Sequence, residues 1–582
     1  MKILSTQLKP LFIQAVQAAY PELSAEQLLE IVALEEPKDP SHGDYACAAP
    51  FKLAKLLGEN PAAVGRKIVE NFPKDFMVGE VEFAAPGFVN LRLDAAFLEE
   101  ILKSLESGFS VEGENREFRD GRRGTVVLDY NSANAAKHMG VHHIITTVLG
   151  DTLANLLEFM GYEAVRVNHL GDWGTNFGKL IYAVETWGKE ETIHENPNDE
   201  LTKLYVHFNN KAEKHPELND EARKIFKSLE EGDELRTAMW KWIISESLQD
   251  IEKTFKRIGV EFDHITGESF YLKMADKVVA DGKARSFFKE GEGGALIFDM
   301  GEDKTPAMLV KSDGATLYLT RDVATVKYRV ETFRPESILY VVDHAQSLHF
   351  KQNFAVSKAL GYASDGEREV NLEHVNFGRM NFTDSAMSTR KGNVIKIEKL
   401  LDEAAAKAAE MAKERGSELS GEELAAEAES IGISSVKYGV LSQDRVKDII
   451  FTWEKIITLD GNSAPYLLYS YARANSIAGK ASDEIVLSGL PKLTEEAEVA
   501  MVRQMAKFPD VLEDALVQRK PHLICTFLFN LAHEFNRFYG KLPVLGADSA
   551  DARRTRLGIV HGFMHQIKTG LAILGIPVIE KM

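Results

Sequence analysis

A strand, a helix and a second strand follow one another near residue 140, and this order constrains the fold more than any other feature of the sequence. Thr125–Asp129 is an almost continuous apolar run, which is typical of a strand buried on both faces. The apolar residues from Val141 to Met160 recur every three or four positions and predict one long helix that ends at Gly161. Ala164–Val167 again has the composition of a strand. We therefore predict an α/β protein with a Rossmann-type parallel-sheet domain.

Length and composition limit the class of protein. At 582 residues the chain is too long for one hydrophobic core, and a usual size of about 150 residues per domain predicts roughly four domains. Charged residues make up 27% and hydrophobic residues 45%, a mixture that excludes a collagen-like or disordered protein. The 2 cysteines, Cys47 and Cys525, provide no disulfide framework and fit a reducing cytoplasm.

Neither membrane insertion nor general binding to polyanions is expected. No apolar run approaches the roughly 18 residues that a spanning helix needs, and Lys2 and Lys9 interrupt the apolar core that a signal peptide requires. The formal net charge of −19 argues against a protein that binds nucleic acid through its overall charge. Local basic patches can still bind nucleic acid on an acidic protein.

Four regions are predicted along the chain. Residues 1–112 combine helical periodicity with two strand-like segments and predict an N-terminal α/β accessory domain. Residues 120–400 contain the Rossmann-type sheet and a charged, mostly helical insert at about 192–260. Residues 401–460 are rich in alanine and glutamate and predict a helical junction. Residues 461–582 show helical spacing almost throughout and predict a C-terminal all-α bundle.

The loop after the first strand is the first candidate site, because ligands bind beyond the carboxyl ends of the strands in an open parallel sheet. It contains Asp129, two asparagines, Lys137 and three histidines, all of which lie just before the long helix or within its start. Lys137 and imidazole donors at the positive end of a helix predict a phosphate site. His138 and His142 have the spacing of a zinc pair, but no glutamate or cysteine completes the pattern. Polar residues satisfied within the core are a third interpretation.

Three later segments also carry polar groups, although each has an ordinary alternative as a turn, a cap or a solvated loop. In Tyr318–Asp322, the first and last side chains can face one cleft if a helix begins nearby. Asp343–Gln346 follows the candidate strand Ile338–Val342, and Ala307–Val310 is a further candidate strand for the sheet. Ala386–Asn393 is a basic loop with a glycine, which suits binding of a triphosphate.

Together these segments resemble the arginyl-tRNA synthetases, a family of class I aminoacyl-tRNA synthetases, over essentially the whole chain. His42–Tyr45 and Pro86–Asn90 resemble the N-terminal tRNA-contacting domain of the family. Asn168–Gly178 resembles the family's sequence just after the first strand–helix–strand unit. Met387–Asn393 resembles its second nucleotide loop. The helical anticodon-binding region is matched by Lys437–Tyr438, Ser442–Gln443, Gly461–Tyr466, Phe535–Tyr539 and Lys581–Met582.

The resemblance implies an arginine–tRNA ligase. Such an enzyme activates L-arginine with ATP, releases pyrophosphate, and transfers arginine from the adenylate to the 3′ end of arginine-accepting tRNA. It implies Mg²⁺ bound with the ATP, no resident zinc or other protein-bound metal, no membrane partner, and a cytoplasmic, monomeric enzyme. A guanidinium group is best held by carboxylates in bidentate fashion, which agrees with acidic residues in the matching segments.

The family's functional residues transfer to matching positions of this sequence. The arginine-binding residues by this analogy are Asp129, Asn134, Tyr318, Asp322 and Gln346. The ATP-binding residues are Gly140, His142, His143, Met387, Ser388, Arg390 and Lys391, and those with catalytic roles are Lys137, His143 and Lys391. The tRNA-binding residues are Tyr45, Asn462, Tyr466, Asn536 and Tyr539.

One motif departs from the family. Where the family has His-x-Gly-His, this chain has Gly140, Val141, His142 and His143, and the alignment from Lys137 onward needs no gap. A side chain at position 142 is expected to obstruct the close approach of adenine to the backbone. The lost imidazole donor is expected to cost about 3 kcal/mol, or about a hundredfold in rate.

Three functions therefore remain open from the sequence. The first is a working ligase with a lowered rate, which the retained Lys137, His143 and second nucleotide loop favour. The second is a catalytically inactive tRNA-binding paralogue on the same scaffold, which the altered motif favours. The third is a metal-dependent hydrolase that uses His138, His142 and His169.

Overall fold

The structure is a computed structural model, and it describes residues 3–37, 39–106, 123–302, 304–312, 314–382, 395–415, 419–481 and 492–581. The chain divides into two compact units. The first unit comprises Met1–Glu114, Leu459–Ala572 and Pro577–Met582, and the second comprises Asn115–Thr458 and Ile573–Ile576. The predicted accessory domain and the predicted C-terminal bundle thus belong to one unit, while the division into four domains stays a prediction.

The N-terminal part of the first unit is an antiparallel sheet with helices. Its strands are β1 (Leu34–Glu35), β2 (Tyr45–Cys47), β3 (Val78–Ala84) and β4 (Phe88–Leu93), in the order β1-β2-β4-β3. Its helices are α1 (Leu4–Ala19), α2 (Ala25–Ile31), α3 (Ala49–Leu57), α4 (Pro61–Glu70) and α5 (Ala95–Glu106). The sequence begins α2 at Ser24, whose hydroxyl accepts the Gln27 N–H and completes a capping box.

The second unit contains a five-stranded sheet and two smaller sheets. Its strands are β5 (Thr125–Asp129), β6 (Glu163–Asn168), β7 (His264–Ile265), β8 (Phe288–Glu290), β9 (Leu296–Phe298), β10 (Ala307–Val310), β11 (Ser337–Tyr340), β12 (Asn371–His374), β13 (Met380–Phe382) and β14 (Ile449–Phe451). The large sheet has the order β12-β11-β5-β6-β7, and every adjacent pair in it is parallel. This sheet confirms the predicted Rossmann-type α/β fold.

The helices of the second unit lie between and after its strands, and some of them form the insert. They are α6 (His142–Phe159), α7 (Thr175–Trp187), α8 (Glu190–Glu195), α9 (Pro197–Lys214), α10 (Glu217–Glu230), α11 (Glu234–Ile258), α12 (Leu272–Ala284), α13 (Tyr318–Phe333), α14 (Ser347–Ala359), α15 (Ile397–Glu414), α16 (Gly421–Leu441) and α17 (Trp453–Ile456). The helix predicted from the spacing of apolar residues is α6, and the predicted charged insert consists of α8 to α11.

The strand order reverses between β5 and β11. From β5 the chain first adds β6 and β7 on one side, and later adds β11 and β12 on the other side. Val127, Val165 and Ile338 pack in one hydrophobic cluster with Val326 and Val330 of α13, which anchors that helix to the sheet. A reversal of this kind opens a crevice at the carboxyl ends of the two central strands, where ligands of such sheets bind.

One predicted strand belongs to a different sheet. Ala307–Val310 pairs antiparallel with β9 in the sheet β10-β9-β8, whereas the sequence analysis placed it in the parallel sheet. The edges of the parallel sheet are β7, which has two residues, and β12, whose sequence Asn371–His374 is mostly polar. Neither edge strand has the long apolar run that predicted β5, so the sequence analysis did not find them.

The rest of the first unit is helical, as predicted for the bundle. Its helices are α18 (Ala464–Lys480), α19 (Glu496–Ala506), α20 (Phe508–Gln518), α21 (His522–Lys541) and α22 (Ala550–Ile573). Asp510 of α20 accepts hydrogen bonds from the hydroxyls of Ser5, at 2.8 Å, and Tyr45. Arg503 of α19 lies 3.4 Å from the Asp44 carboxylate. These bonds join the N-terminal sheet to the helices within one unit. Among the helices that the structure describes, none has the length and apolarity to cross a membrane.

Candidate active site at the carboxyl edge of the parallel sheet

The N-terminal half of α6 is held between the two central strands. The hydroxyl of Thr146 accepts the Asn131 N–H at 3.0 Å from the loop after β5. The same hydroxyl donates to the carbonyl of Val341, which follows β11, at 2.7 Å. The Val341 N–H donates in turn to the carbonyl of Asp129 at 2.9 Å. These bonds fix the start of α6 and both loops around the crevice where the strand order reverses.

A pocket of about 210 Å³ lies beyond β5, β6 and β7. Its lining residues are Asn134, Ala135, Ala136, Lys137, Gly171, Trp173, Asn176, Phe177, Leu180, Tyr205, Glu268 and Tyr318. It brings together three side chains that the sequence analysis had selected: Asn134, Lys137 and Tyr318. An apolar wall with a few convergent polar groups is typical of a small-molecule site.

Glu268 is the carboxylate of this pocket, and the sequence analysis missed it. Its side chain is 12% exposed and lies 3.0 Å from the guanidinium of Arg321, measured from Oε2 to Nη2. Burial raises the pKa of Glu268 to about 7, although the charge of Arg321 acts in the opposite direction. Its position just after β7 could have indicated a site residue, but β7 has only two residues and could not be predicted from the sequence.

The turn that presents Glu268 is built by Asp172, which follows β6. The Asp172 carboxylate accepts the Ser269 N–H at 2.8 Å and the Ser269 hydroxyl at 2.6 Å. A Cβ placed on Gly267 would lie 2.1 Å from the carboxylate of Asp172, so only glycine fits there. The Glu268 N–H donates to the carbonyl of Leu170 at 3.0 Å. The loop after β6 therefore fixes the carboxylate that follows β7.

Tyr318 and Asp322 lie one turn apart on α13. Tyr318 is 59% exposed, and the Arg321 guanidinium lies 4.8 Å from the centroid of its ring. Asp322 is bonded to His349 at 2.5 Å, and His169 lies 3.8 Å from its other oxygen. Burial, the largest single influence, opposes ionisation of Asp322, but the hydrogen bond and charge of His349 together with the charges of His169 and Arg329 lower the pKa of the carboxyl below its usual value.

Asp129 forms an ion pair within the fold. Its Oδ2 lies 2.8 Å from Nη1 of Arg329, whose side chain is 1% exposed. The other oxygen accepts a hydrogen bond from Ser132 at 3.3 Å. Arg329 also lies 5.4 Å from the centroid of the Tyr340 ring. Asp129 is thus the counter-ion of a buried arginine within the fold, and its contact with a substrate guanidinium stays a prediction.

The altered motif lies at the start of α6. His142 is the first residue of the helix and is exposed, and its ring centroid lies 4.0 Å from that of His143. Nδ1 of His143 contacts the Gly140 N–H at 3.1 Å. Burial lowers the pKa of His143 to about 4, with a smaller contribution from His142, and burial also lowers the pKa of His142. Both imidazoles are therefore neutral at pH 7.

The histidines of the predicted metal-dependent hydrolase do not converge. His138 is bonded to Asp199 at 2.8 Å, His142 faces His143, and His169 lies beside Asp322. Within the described ranges, no group of three or more histidine, cysteine or acidic side chains is placed to hold a metal ion. The geometry gives the hydrolase hypothesis no support.

The remaining predicted residues of the catalytic unit lie elsewhere. Gln346 is exposed at the end of the short helical turn His344–Gln346 after β11, and it is not a lining residue of the 210 Å³ pocket. Met387, Ser388, Arg390 and Lys391 lie outside the residues that the structure describes.

Of the predicted tRNA-binding residues, Tyr45 is buried. It is 5% exposed and its hydroxyl is bonded to Asp510, which is a contact between two parts of the first unit, while its contact with tRNA stays a prediction. Asn536 donates to the hydroxyl of Tyr466 at 3.0 Å and accepts from Arg473 at 2.7 Å. Asn462 and Tyr539 are exposed, as a ligand-binding role requires.

Comparison with known proteins assigns three segments of the chain to family models. Residues 109–453 match the model for the catalytic domain of class I (R) tRNA synthetases. Residues 467–582 match the DALR anticodon binding domain, and residues 6–93 match the N-terminal domain of arginyl-tRNA synthetases.

Full-length relatives agree with these matches. The arginine–tRNA ligase of Fusobacterium nucleatum is 36% identical and covers 100% of both chains. That of Clostridium beijerinckii is 37% identical over 95% of this chain and 97% of its own.

Two solved structures share the fold. The arginyl-tRNA synthetase of Plasmodium falciparum has a TM-score of 0.85 at 24% identity, and that of Thermus thermophilus has a TM-score of 0.82 at 21% identity. Each alignment covers 100% of both chains. With its catalytic, anticodon-binding and N-terminal segments all matched, the chain belongs to the arginyl-tRNA synthetase family of class I aminoacyl-tRNA synthetases.

Proposed function

We propose that this chain is a working arginine–tRNA ligase. It activates L-arginine with ATP to form arginyl-adenylate and then transfers arginine to the 3′ end of arginine-accepting tRNA. The observation that carries the proposal is the pocket beyond β5, β6 and β7, in which Glu268 lies with Asn134, Lys137 and Tyr318. No observation favours the inactive tRNA-binding paralogue.

Glu268 is the proposed ligand for the substrate guanidinium. Its Oε2 faces Arg321, which leaves Oε1 for a second cation. A guanidinium in the pocket stabilises the ionised carboxylate, because opposite charges at close range favour each other's charged forms. Because Arg321 faces Oε2, a neutral amino acid of the same shape leaves Oε1 of this carboxylate without a second cation, which is the physical basis of selectivity for arginine. Asn134, Tyr318 and the ionised Asp322 complete the proposed arginine-binding set.

Lys137, Gly140, His142 and His143 form the proposed ATP-binding segment at the N-terminus of α6, with Lys391 and its neighbours outside the described residues. The substrate carboxylate attacks the α-phosphorus of ATP, a new carboxyl–phosphate bond forms, and pyrophosphate leaves. Lys137 is exposed beside the pocket and is the side chain placed to neutralise the phosphates. Mg²⁺ enters as part of the MgATP substrate. Gly140 lacks the imidazole donor of the family motif, and His142 carries an imidazole two residues later, at the first position of α6.

Asn462, Tyr466, Asn536 and Tyr539 are the proposed contacts to tRNA in the helical part of the first unit, where exposed aromatic rings can stack on unpaired bases. We propose a cytoplasmic location, because tRNA is charged there for translation. We also propose a monomer, which sedimentation of the purified chain would test.

The deciding experiment is transfer of labelled arginine to arginine-accepting tRNA with ATP and Mg²⁺. The native chain is expected to charge the tRNA, and the Lys137→Met variant prepared identically is expected to lose most of the activity. Equal charging by both proteins would point to a contaminating enzyme. No charging by the native chain would overturn the proposal in favour of the inactive paralogue. Citrulline, the neutral analogue of arginine, is expected not to compete.

A further inference from the structure

We infer that Asp199 of the helical insert is a positioning residue for the activation step. Its carboxylate joins the segment that carries Lys137 to the segment that precedes α15. The inference rests on the proposed function and deepens it. It gives the insert a part in catalysis that its composition did not suggest.

Asp199 bonds two side chains from distant parts of the chain. It lies in the first turn of α9, and its Oδ1 is 2.8 Å from Nε2 of His138 and 2.5 Å from Nζ of Lys396. His138 is 17% exposed and directly follows Lys137 in the sequence. The bond to Lys396, followed by the bond to His138, lowers the pKa of Asp199, so the carboxylate is ionised at neutral pH.

A short backbone ladder lies beside this carboxylate. The Val141 N–H donates to the carbonyl of Ile395 at 2.9 Å, and the Ile397 N–H donates to the carbonyl of Met139 at 3.1 Å. Gly140 is thereby paired antiparallel with Lys396. The altered motif is thus tied to the segment before α15 by main-chain bonds that begin at residue 139. Asp199 adds a charged link at residue 138, one residue closer to Lys137.

The same insert helix also contacts Lys137 itself. Tyr205 of α9 lines the pocket, and Nζ of Lys137 lies 5.7 Å from the centroid of its ring. The Tyr205 hydroxyl donates to Asn176 of α7 at 3.0 Å. Helix α9 therefore touches two successive residues, Lys137 and His138, with two of its own side chains. Loss of Asp199 frees His138 and widens the range of positions that Lys137 can take.

This geometry predicts which kinetic constant changes. Displacement of a charge-stabilising group by about 1 Å costs on the order of a hundredfold in rate. Lys137 stays attached to its own backbone without Asp199, so we expect a smaller loss of about tenfold in kcat for arginyl-adenylate formation. Glu268, which binds arginine, lies on another loop and keeps its own hydrogen bonds through Asp172. The KM for arginine is therefore expected to change less than twofold.

The chain offers a matched control for the helix dipole. Glu200 is the other acidic residue in the first turn of α9, and its carboxylate bonds only locally, to Lys203 at 2.5 Å. Asp199→Asn and Glu200→Gln each remove one negative charge from the same helix terminus, so both lose the same favourable interaction with the dipole. Only Asp199→Asn breaks the link to His138 and Lys396.

The test is ATP–pyrophosphate exchange with arginine, MgATP and tRNA, alongside thermal unfolding of every variant. Asp199→Asn is expected to lower kcat about tenfold. Lys396→Met leaves the bond between Asp199 and His138 in place and is expected to lower kcat by less. The double variant is expected to be no worse than Asp199→Asn alone, because both changes act through Asp199. Glu200→Gln is expected to match the native chain. Thermal unfolding midpoints that agree among the variants would show that folding is intact.

Three outcomes would overturn the inference alone. Asp199→Asn could behave like Glu200→Gln, or the Asp199 and Lys396 effects could multiply in the double variant. A loss for Asp199→Asn that resides in the KM for arginine would also contradict it. A native chain without exchange or charging would instead overturn the proposed function, and the inference with it.

Discussion

The carboxylate pocket and the altered motif belong to the same unit, but their polar groups are held in different ways. Glu268 stands on a turn fixed by hydrogen bonds from Ser269 to Asp172, beside a glycine that admits no side chain. His142 is an exposed first residue of a helix whose position depends on Thr146 further along. An exposed side chain can be exchanged without disturbing the fold, whereas a turn whose glycine admits no side chain tolerates few changes. The comparison explains why the motif at the start of α6 can vary at a lower cost to the fold than the turn that carries Glu268.

The largest expected effect is at the pocket. Glu268→Gln removes the charge that pairs with the substrate guanidinium, and a charge-assisted bond of this kind contributes about 3 kcal/mol, or more than a hundredfold in kcat/KM for arginine. Measured charging kinetics with varied arginine would check this. A loss below tenfold would remove Glu268 from the arginine site. Glu336→Gln, at an exposed carboxylate before β11, is the matched control and is expected to behave as the native chain.

The second effect concerns the motif. The double variant Gly140→His with His142→Gly restores the family order, and regaining one imidazole donor is expected to raise kcat for adenylate formation by up to about a hundredfold. Pyrophosphate exchange measures it. An unchanged or lower rate would mean that His142 already supplies the donor from its own position. The altered motif would then be as functional as the carboxylate pocket.

The third prediction uses pH. Burial raises the pKa of Glu268 to about 7, and a bound guanidinium favours the ionised form. Arginine binding therefore releases a proton from the fraction of protein in which Glu268 is protonated. The affinity for arginine is highest above pH 7, where Glu268 is mostly ionised. It falls as the pH drops, by about tenfold between pH 8 and pH 6. Calorimetric titration of arginine at several pH values checks this, and Glu268→Gln should abolish the pH dependence.

The smallest effect is expected outside the catalytic unit. Tyr45→Phe removes the bond to Asp510 and is expected to lower the free energy of unfolding by about 1 kcal/mol. Because the side chain is buried, the KM for tRNA should stay within twofold. Denaturant unfolding and charging kinetics would measure the two quantities separately. A large rise in the KM for tRNA without a loss of stability would support a direct contact between Tyr45 and tRNA.

The sequence predicted elements whose pattern is local. Thr125–Asp129 was found because its apolar run is uninterrupted, and α6 was found because its apolar residues keep helical spacing over its 18 residues. Ala307–Val310 was correctly a strand but was assigned to the wrong sheet, since an apolar run does not specify its partner strand. The edge strands β7 and β12 were missed because their pairing with β6 and β11 defines them, not their composition.

The same limit applies to the site. Asn134 and Lys137 follow β5 directly, so the position of the strand predicted them. Asp129 follows the same logic, but its partner Arg329 lies 200 residues away and could not be inferred from the sequence. The turn that carries Glu268 depends on Asp172, which lies 97 residues before Ser269, so this pair could not be inferred from the sequence either. A residue's role could be predicted where the secondary structure decides it, and not where a tertiary partner does.

The assembly of the first unit from distant segments has a consequence for synthesis of the protein. Ser5 and Tyr45 bond to Asp510, so the ribosome makes one half of this contact several hundred residues before the other. At roughly 5–20 residues per second, the delay is on the order of tens of seconds. During that time the face around Tyr45 is open to other chains and to chaperones, while the parallel sheet completes itself.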